Sequence, residues 1–242
     1  GPEAQTTAAL QFLGAPWSQP WFLCLNYYAA HGILGPSGES VFPVPPGMYQ
    51  TGDPTLDQQA IIDYLEAQLE ERLLPTVNLQ ETYLFVFSDN GTPSDAGGVE
   101  GRAKGSVYEE GVRNRLWVAG PGITPGVDTT SMVSVTDLWA TCMDLTGGCG
   151  SGVGGEDSWS LAATLGGAPR QGPLWAGRFN PNVPPHDVYV QAAIEARWKL
   201  HRNKSGGEKF FDLEADPGEL VELPLQGPDY GRLKAFLDSA HL

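Results

Sequence analysis

The chain has 242 residues, and its 14 lysines and arginines are outnumbered by 29 aspartates and glutamates, giving a formal net charge of −15. Such a surface repels nucleic acid and anionic membranes, so we expect neither as a partner. Hydrophobic residues make up 41% of the chain, enough for a globular core, while 31 glycines and 20 prolines predict many loops. No apolar run is long enough to span a membrane. The length fits one large domain with a small appendage.

The first part of the chain predicts helices on either side of a buried strand. Residues up to about Pro20 predict a short helix and a loop. The apolar stretch Trp21–Tyr28 predicts a strand that delivers His31 to its end. Glycines and prolines between positions 32 and 52 predict a long loop, a feature that is usually functional in a compact domain. A proline that follows a capping aspartate then predicts a helix over Pro54–Leu74.

The stretch Tyr83–Phe87 predicts the central strand, and it ends abruptly in Ser88, Asp89, Asn90 and Gly91. Ligands in α/β sheets bind beyond the carboxyl ends of strands, so the Asp89 carboxylate and the Asn90 amide are candidate site residues. Their oxygens suit a hard cation such as calcium or magnesium. The alternative is an ordinary turn, because the same residues are also favourable turn chemistry.

A third buried strand is predicted over Leu116–Ala119. We expect the three strands to share one parallel-rich sheet with helices packed on it, which is an α/β fold. A further helix is predicted from Asp137, with Leu138, Cys142 and Leu145 on its inner face. Cys142 is close enough in sequence to Cys149 for a disulfide, and the pairing stays open.

The last part of the chain predicts a glycine-rich loop, short strands and a C-terminal helix. Residues 150–155 match the GxGxxG spacing of nucleotide loops, but they follow a helix rather than a strand and predict a flexible loop. From about Asp187 to Leu213, short alternating runs predict a small antiparallel sheet. A C-terminal helix with Leu233, Phe236 and Leu237 is expected to pack on it. We therefore divide the chain into an α/β domain, residues 1–180, and a small C-terminal α+β subdomain, residues 181–242.

Three blocks, in this order and spacing, resemble the sulfatases of the alkaline-phosphatase superfamily. Residues 20–31 read PWFLCLNYYAAH, residues 88–91 read SDNG and residues 103–113 read AKGSVYEEGVR. The usual sulfatase forms are PFFLYLNYNAPH, SDNG and GKGTLYEGGIR. Residues 197–200 and 211–219, RWKL and FDLEADPGE, also resemble the C-terminal sulfatase pattern RYKL…LYDLENDPGE. The resemblance spans roughly Trp21 to Leu223.

The resemblance implies a sulfatase-like sheet flanked by helices and a function in sulfuric-ester hydrolysis. It implies that Asp89 and Asn90 help to bind a divalent cation, usually calcium. It also implies that His31 and Lys104 contact the sulfate group, where their donors would stabilise charge on its oxygens. Residues 109–113 would support the site structurally, although Glu110 stands where the family has glycine. Family members act on sulfate esters or sulfated glycans, in secreted, periplasmic or lumenal locations.

The chain departs from the family in what it lacks. Sulfatases carry, ahead of these blocks, two further metal-binding aspartates and a Cys/Ser-x-Pro/Ala-x-Arg motif that yields the formylglycine nucleophile. None of these is found here, so we expect a C-terminal portion of the fold that is inactive by itself. A second chain that supplies the N-terminal half, or self-association, is then expected. The alternative function is a non-catalytic structural or glycan-binding subunit derived from a sulfatase.

The phosphatase and phosphodiesterase branch of the same superfamily is a third reading. Those two-metal enzymes usually place a histidine where Asn90 stands and need further histidine ligands. The four histidines of this chain do not cluster in sequence, which argues against that branch.

Overall fold

The computed structural model describes residues 1–34, 40–45, 47–126, 131–148, 158–168, 170, 172–181 and 183–239. Cys149 and the glycine-rich loop at 150–155 lie outside these residues, so the predictions about them stay untested. The helices are α1 (Pro2–Leu13), α2 (Pro54–Ala67), α3 (Glu109–Val112), α4 (Asp137–Leu145), α5 (Ala162–Leu165) and α6 (Pro228–Ser239). The strands are β1 (Ile33–Leu34), β2 (Ser40–Val41), β3 (Leu84–Phe87), β4 (Leu116–Ala119), β5 (Leu174–Asn180), β6 (Val188–Glu195), β7 (Trp198–Asn203) and β8 (Glu208–Asp212).

The fold is mixed α/β, as predicted, with three separate sheets among the described residues. They pair β1 with β2, β3 with β4, and β5 through β8 in sequence order. The chain divides into two compact units. The first comprises residues 1–85, 93–98 and 118–121, and the second comprises residues 86–92, 99–117 and 122–242. Within the described ranges, no helix combines the length and apolar content needed to cross a membrane.

The predicted helix over Pro54–Leu74 is confirmed, with one change of hydrogen-bond pattern. The Asp53 side chain caps α2 by accepting from the amides of its second and third residues. Beyond the end of α2, the helical path continues as a π-helical turn, Gln68–Leu73, and a 3-10 turn, Leu74–Thr76. Ile61 is fully buried in this unit against Phe42.

The predicted strand Trp21–Tyr28 is wrong. Side chains in this stretch alternate between half-buried and exposed, as in a strand, but no strand is assigned to it. Phe22 is 76% exposed and Tyr28 is 78% exposed. A strand needs a neighbouring chain to bond its backbone, and here the Asn26 carbonyl instead accepts a hydrogen bond from the Gln5 side chain of α1. The apolar pattern correctly indicated an extended backbone, but it could not show whether a neighbouring strand is present to form backbone hydrogen bonds with it.

The single parallel-rich sheet expected for the other two strands is also wrong, although their positions are confirmed. Strand β3 pairs only with β4 among the described residues. Asn114, before β4, donates a 2.8 Å hydrogen bond to the carbonyl of Ser88, after β3. Gly120, after β4, approaches Tyr83, before β3. The two strands therefore run in opposite directions, and β3 is half-buried rather than covered on both faces.

The inner face of α4 combines apolar and polar residues. The predicted Leu138, Cys142 and Leu145 are half-buried, whereas the fully buried residues are Asp137 and Thr141. The Asp137 carboxylate accepts from the amides at positions 134 and 159 and pairs with the Arg170 guanidinium. Burial of this carboxylate is tolerated because its oxygens are bonded. A pattern of apolar side chains could not reveal it.

The four-stranded antiparallel sheet β5–β8 and helix α6 carry the core of the second unit. Strands β6, β7 and β8 and the C-terminal helix lie where the sequence predicts them, whereas β5 was not predicted. One sheet face places Ala193, Leu200 and Phe210 side by side in register. Leu233 and Leu237 of α6 pack on this row, and all five residues are buried.

The other sheet face covers the segment that contains α3. Leu174 and Ile194 contact the buried Val107 through one apolar cluster. Beside it, the fully buried Lys199 ammonium lies 2.8 Å from Glu109 Oε1 and 3.3 Å from Glu219 Oε1. The sheet therefore holds this segment by apolar contact at one point and by a buried ion cluster at another.

Glu219 is the centre of the buried cluster. One of its carboxylate oxygens accepts from the Glu109 amide at 2.5 Å, and the other lies 3.0 Å from His201 Nε2. Burial alone would raise the pKa of Glu219, but the His201 contact and the Lys199 charge outweigh it and hold that pKa below 4.5. Burial lowers the pKa of His201, which favours a neutral ring at pH 7.

We predict that Leu200→Ala lowers the free energy of unfolding by about 2–5 kcal/mol, because it leaves a cavity between β7 and α6. The matched control is Leu220→Ala, since Leu220 is 76% exposed. It should change stability by about 0.5 kcal/mol or less. Urea unfolding, followed by circular dichroism, measures both. Equal losses in the two variants would contradict the packing of α6 on this sheet.

We predict that Glu219→Gln lowers the free energy of unfolding at pH 7 by about 1–3 kcal/mol, because Lys199 loses one of its two buried carboxylates. The folded-state pKa of Glu219 lies below its unfolded value of 4.5. Its contribution is therefore present above pH 4.5 and is lost as the pH falls through the folded-state pKa.

The difference in stability between wild type and variant should accordingly shrink as the pH falls below 4.5. Urea unfolding at a series of pH values measures it. Glu222→Gln is the control, because its exposed carboxylate pairs only with Lys209. A gap that stays constant down to pH 3 would contradict the assigned role of the Glu219 charge.

Candidate functional site

Asp89 and Asn90 lie in the turn that follows β3, where the sequence predicts them. The Ser88 hydroxyl donates to the Asn90 carbonyl at 2.8 Å, and the Asn90 amide nitrogen donates to the Gly91 carbonyl at 2.8 Å. These local bonds are the turn chemistry that the sequence offered as the alternative reading. They leave the Asn90 side-chain oxygen without a partner among the described residues. The exposed Asp89 carboxylate is likewise unbonded within that part of the chain.

Backbone hydrogen bonds join this turn to two other segments of the second unit. The Gly91 amide donates to the Gly111 carbonyl at 3.0 Å, and the Thr92 amide donates to the Glu110 carbonyl at 2.9 Å. The Lys104 amide donates to the Thr92 carbonyl at 2.8 Å. Hydrogen bonds between peptide groups therefore connect the Asp89–Asn90 turn, the Lys104 turn and α3.

Two glycines permit this close approach. A Cβ atom on Gly91 would lie 2.2 Å from the Glu110 carbonyl oxygen, and one on Gly111 would lie 2.4 Å from the Ala103 carbonyl oxygen. Both distances are far inside van der Waals contact, so a larger residue at either position must displace the backbone. The requirement for glycine is steric here rather than conformational.

Lys104 lies in a tight turn between buried Ala103 and Gly105, which has a φ of +88°. Its side chain is exposed, and its ammonium group has no hydrogen-bond or ion-pair partner among the residues described. In a chain with net charge −15, a lysine that no carboxylate neutralises remains available to an anion.

His31 belongs to the first unit, at the end of the extended stretch that follows α1. The ring is exposed, and its Nδ1 atom lies 2.7 Å from the Gly32 carbonyl oxygen. The predicted convergence of His31 with Asp89, Asn90 and Lys104 stays a prediction, because these three residues belong to the second unit.

The residues of the YEEGVR segment contact two neighbouring segments, and they show what a glutamate at position 110 does. Glu109 binds Lys199. Glu110 adds a contact, because its Oε1 atom accepts from the Val99 amide at 3.0 Å. The extra carboxylate therefore bonds the loop before Lys104 rather than disrupting it.

The sequence analysis did not identify Lys199, His201 and Glu219, the buried cluster that binds Glu109 at the start of α3. Lys199 lies in RWKL and Glu219 in DPGE, which resemble the C-terminal family pattern, but that resemblance implied no role for them, and His201 lies outside both stretches. A lysine and a histidine two residues apart on a strand do point to the same face. The partner on the distant Glu219 turn could not be inferred from spacing.

The described residues contain no group of three or more histidine, cysteine, aspartate or glutamate side chains that could hold a metal ion. Asp89 and Asn90 still fit part of a calcium site, because the two residues are adjacent in the chain and their side-chain oxygens are unbonded within the described ranges. Calcium takes six to eight oxygen ligands. Two donors can anchor such an ion but cannot complete its coordination.

Comparison with known proteins places this geometry in a family. A family model described as Sulfatase matches residues 3–148. The chain is 34% identical over 192 residues to the choline-sulfatase of Rhizobium meliloti (strain 1021), covering 74% of the chain and 35% of that protein. It is 32% identical over 210 residues to human arylsulfatase A, covering 82% of the chain and 39% of that protein. The chain thus spans little more than a third of these relatives.

Among solved structures, yidJ of Bacteroides fragilis, assigned as a sulfatase, shares the fold with a TM-score of 0.72 at 17% sequence identity. The match covers 98% of this chain and 58% of that one. Identity this low speaks only for the fold. Because the family model covers more than half of the chain, and because the fold agrees, this chain belongs to the sulfatase family of the alkaline-phosphatase superfamily.

Proposed function

We propose that this chain carries the sulfate- and cation-binding part of a sulfuric-ester hydrolase. In this proposal, Asp89 and Asn90 are ligands of a calcium ion, and Lys104 and His31 contact the sulfate group. The supporting observation is the direct backbone bonding of the Asp89–Asn90 turn to the Lys104 turn, with unneutralised side chains on both. The family relatives are named for sulfate-ester substrates.

The chemistry follows from the side chains. The ammonium group of Lys104 donates hydrogen bonds to sulfate oxygens and stabilises negative charge that builds on them as the ester bond breaks. The imidazole of His31 would donate to the same oxygens or to the leaving alcohol. A bound calcium ion would supply further positive charge at the sulfate. No formylglycine precursor motif is present among the 242 residues, so a covalent step would require a nucleophile from elsewhere.

The second candidate function is a non-catalytic subunit that binds sulfated glycans through Lys104 and His31. The exposed Lys104 side chain, which has no partner among the described residues, supports it, because binding a sulfate group requires no covalent step. Both functions predict binding of sulfate esters, and they differ in whether a companion polypeptide that carries the nucleophile restores turnover. Co-purification of such a chain with activity would favour the first function.

We predict that the 242-residue chain binds calcium with a dissociation constant of about 1 mM or weaker, because two protein oxygens leave most ligand positions to water. Asp89→Ala should weaken this binding at least about tenfold. Asp144→Ala is the matched control, since this exposed aspartate of α4 lies outside the proposed site. Isothermal titration calorimetry measures all three proteins, and equal affinities would contradict the assignment of Asp89.

We also predict that the chain alone does not turn over 4-nitrophenyl sulfate, because it lacks a nucleophile. The release of nitrophenolate is followed with calcium present. Multiple turnovers that disappear in Asp89→Ala would contradict this prediction and would mean that the chain contains a complete site.

We predict that Gly91→Ala lowers the free energy of unfolding by about 1–3 kcal/mol, because the new methyl group meets the Glu110 carbonyl. It should also weaken calcium binding, since the Asp89–Asn90 turn must shift. Gly231→Ala is the control, because its site in α6 is open and alanine favours helices. The control should raise stability by up to about 1 kcal/mol. Unchanged calcium binding in Gly91→Ala would contradict the role of this turn.

A further inference from the structure

Strand β5 places a second cationic side chain, that of Arg178, beside the turn that contains Lys104. Arg178 lies on the same face of β5 as Leu174, the face that packs on Val107. The Cζ and Nη1 atoms of Arg178 lie 3.8 Å from the position that a Cβ atom would occupy on Gly105. Lys104 is the chain neighbour of that glycine. The sheet therefore brings the Arg178 guanidinium to the turn that carries the candidate sulfate-binding lysine.

Arg178 is one of few cations that the chain leaves unneutralised. Most of the 14 lysines and arginines bind carboxylates, carbonyls or other polar groups. Within the described ranges, those with no such partner for the side chain are Lys104, Arg113, Arg115 and Arg178. Two of these four residues are close to Gly105: Lys104 precedes it in the chain, and the Arg178 guanidinium lies against it. Neither has a carboxylate partner within the described ranges, although the chain has 29 acidic residues.

Two like charges at one turn repel each other unless an anion lies between or beside them. A guanidinium group presents a planar fork of donors that matches a carboxylate or a sulfate group in two parallel hydrogen bonds. The exposed Arg178 guanidinium lies against Gly105, next in the chain to Lys104, so both cations are accessible to an anion from solvent.

The charge balance separates the role of Arg178 from that of Lys104. A sulfate monoester carries one negative charge. In the proposed function, Lys104 already balances that charge, so the Arg178 guanidinium has no counter-charge in a substrate with a single sulfate group. A second anionic group on the same substrate would match the surplus.

We propose that Arg178 binds a second anionic group of the substrate, a carboxylate or another sulfate, beside the ester that Lys104 holds. The substrate class is then a sulfate ester with a neighbouring anionic group, and Arg178 determines this specificity. This inference rests on the proposed function of Lys104, and it concerns a residue of the C-terminal sheet that lies outside the family motifs.

The test compares two probes, methyl sulfate with one anionic group and ethane-1,2-diyl bis(sulfate) with two. Each is titrated into the ¹⁵N-labelled chain at low ionic strength, and amide shifts around Lys104 and Gly105 give the dissociation constants. We expect the bis(sulfate) to bind about tenfold more tightly, beyond the factor of two due to its two equivalent ends. Salt should reduce this advantage, because the added contact is ionic.

Arg178→Ala should bring the advantage of the bis(sulfate) close to that twofold factor and leave methyl sulfate binding unchanged. Arg178→Lys should retain part of it, because the charge remains without the planar fork. Lys104→Ala should weaken both probes. Lys234→Ala removes one charge from α6, which packs on the opposite sheet face, and should change neither.

The outcomes distinguish this inference from the proposed function. If Lys104→Ala weakens both probes but Arg178→Ala keeps the full advantage, the role of Arg178 is overturned and that of Lys104 stands. If Lys104→Ala changes neither probe, the assignment of Lys104 is overturned, and the inference about Arg178 with it. Equal effects of Arg178→Ala and Lys234→Ala would reduce the result to net charge and overturn the inference.

Discussion

An ammonium group that is removed from water must have its charge balanced by neighbours, and Lys199 meets this requirement with two carboxylates from distant parts of the chain. Glu109 begins α3 and Glu219 follows the last strand, so one lysine joins the site-bearing segment to the sheet. The Glu219 carboxylate also receives the first amide of α3. The backbone hydrogen bonds that align the Asp89–Asn90 turn are therefore made to a helix, α3, whose N-terminal end is held in place.

Sequence predicted best where one physical cause decides the local structure. The helix from Pro54 follows from its cap and its periodic apolar face, and Leu116–Ala119 forms a strand where four apolar residues predict one. The predictions fail where the local structure depends on a partner that is distant in sequence. Trp21–Tyr28 has the alternation of a strand but no ladder. Strand β5 contains Gly177, Arg178 and a terminal asparagine, so only pairing with β6 makes it a strand.

The candidate site divides in the same way. Asp89, Asn90 and Lys104 were predicted as site residues from the order and spacing of blocks that resemble sulfatase motifs. The steric need for Gly91 and the approach of Arg178 to Gly105 depend on contacts between segments that are far apart in sequence. Such contacts leave no periodic trace. Whether a cation has a carboxylate partner also depends on the three-dimensional neighbours of its side chain, which the sequence does not specify.

The hydrogen bond from the Lys104 amide to the Thr92 carbonyl closes a loop at its base. Within that loop, Ala96 is anchored in the first unit's core, whereas residues 99–101 include exposed Val99 and a glycine with φ of +78°. Extra residues added near position 100 would lengthen the loop at a small entropic cost, which grows only with the logarithm of its length. Such an insertion would increase the sequence separation of Asn90 and Lys104, while the hydrogen bond at the base of the loop keeps the Lys104 backbone beside Thr92.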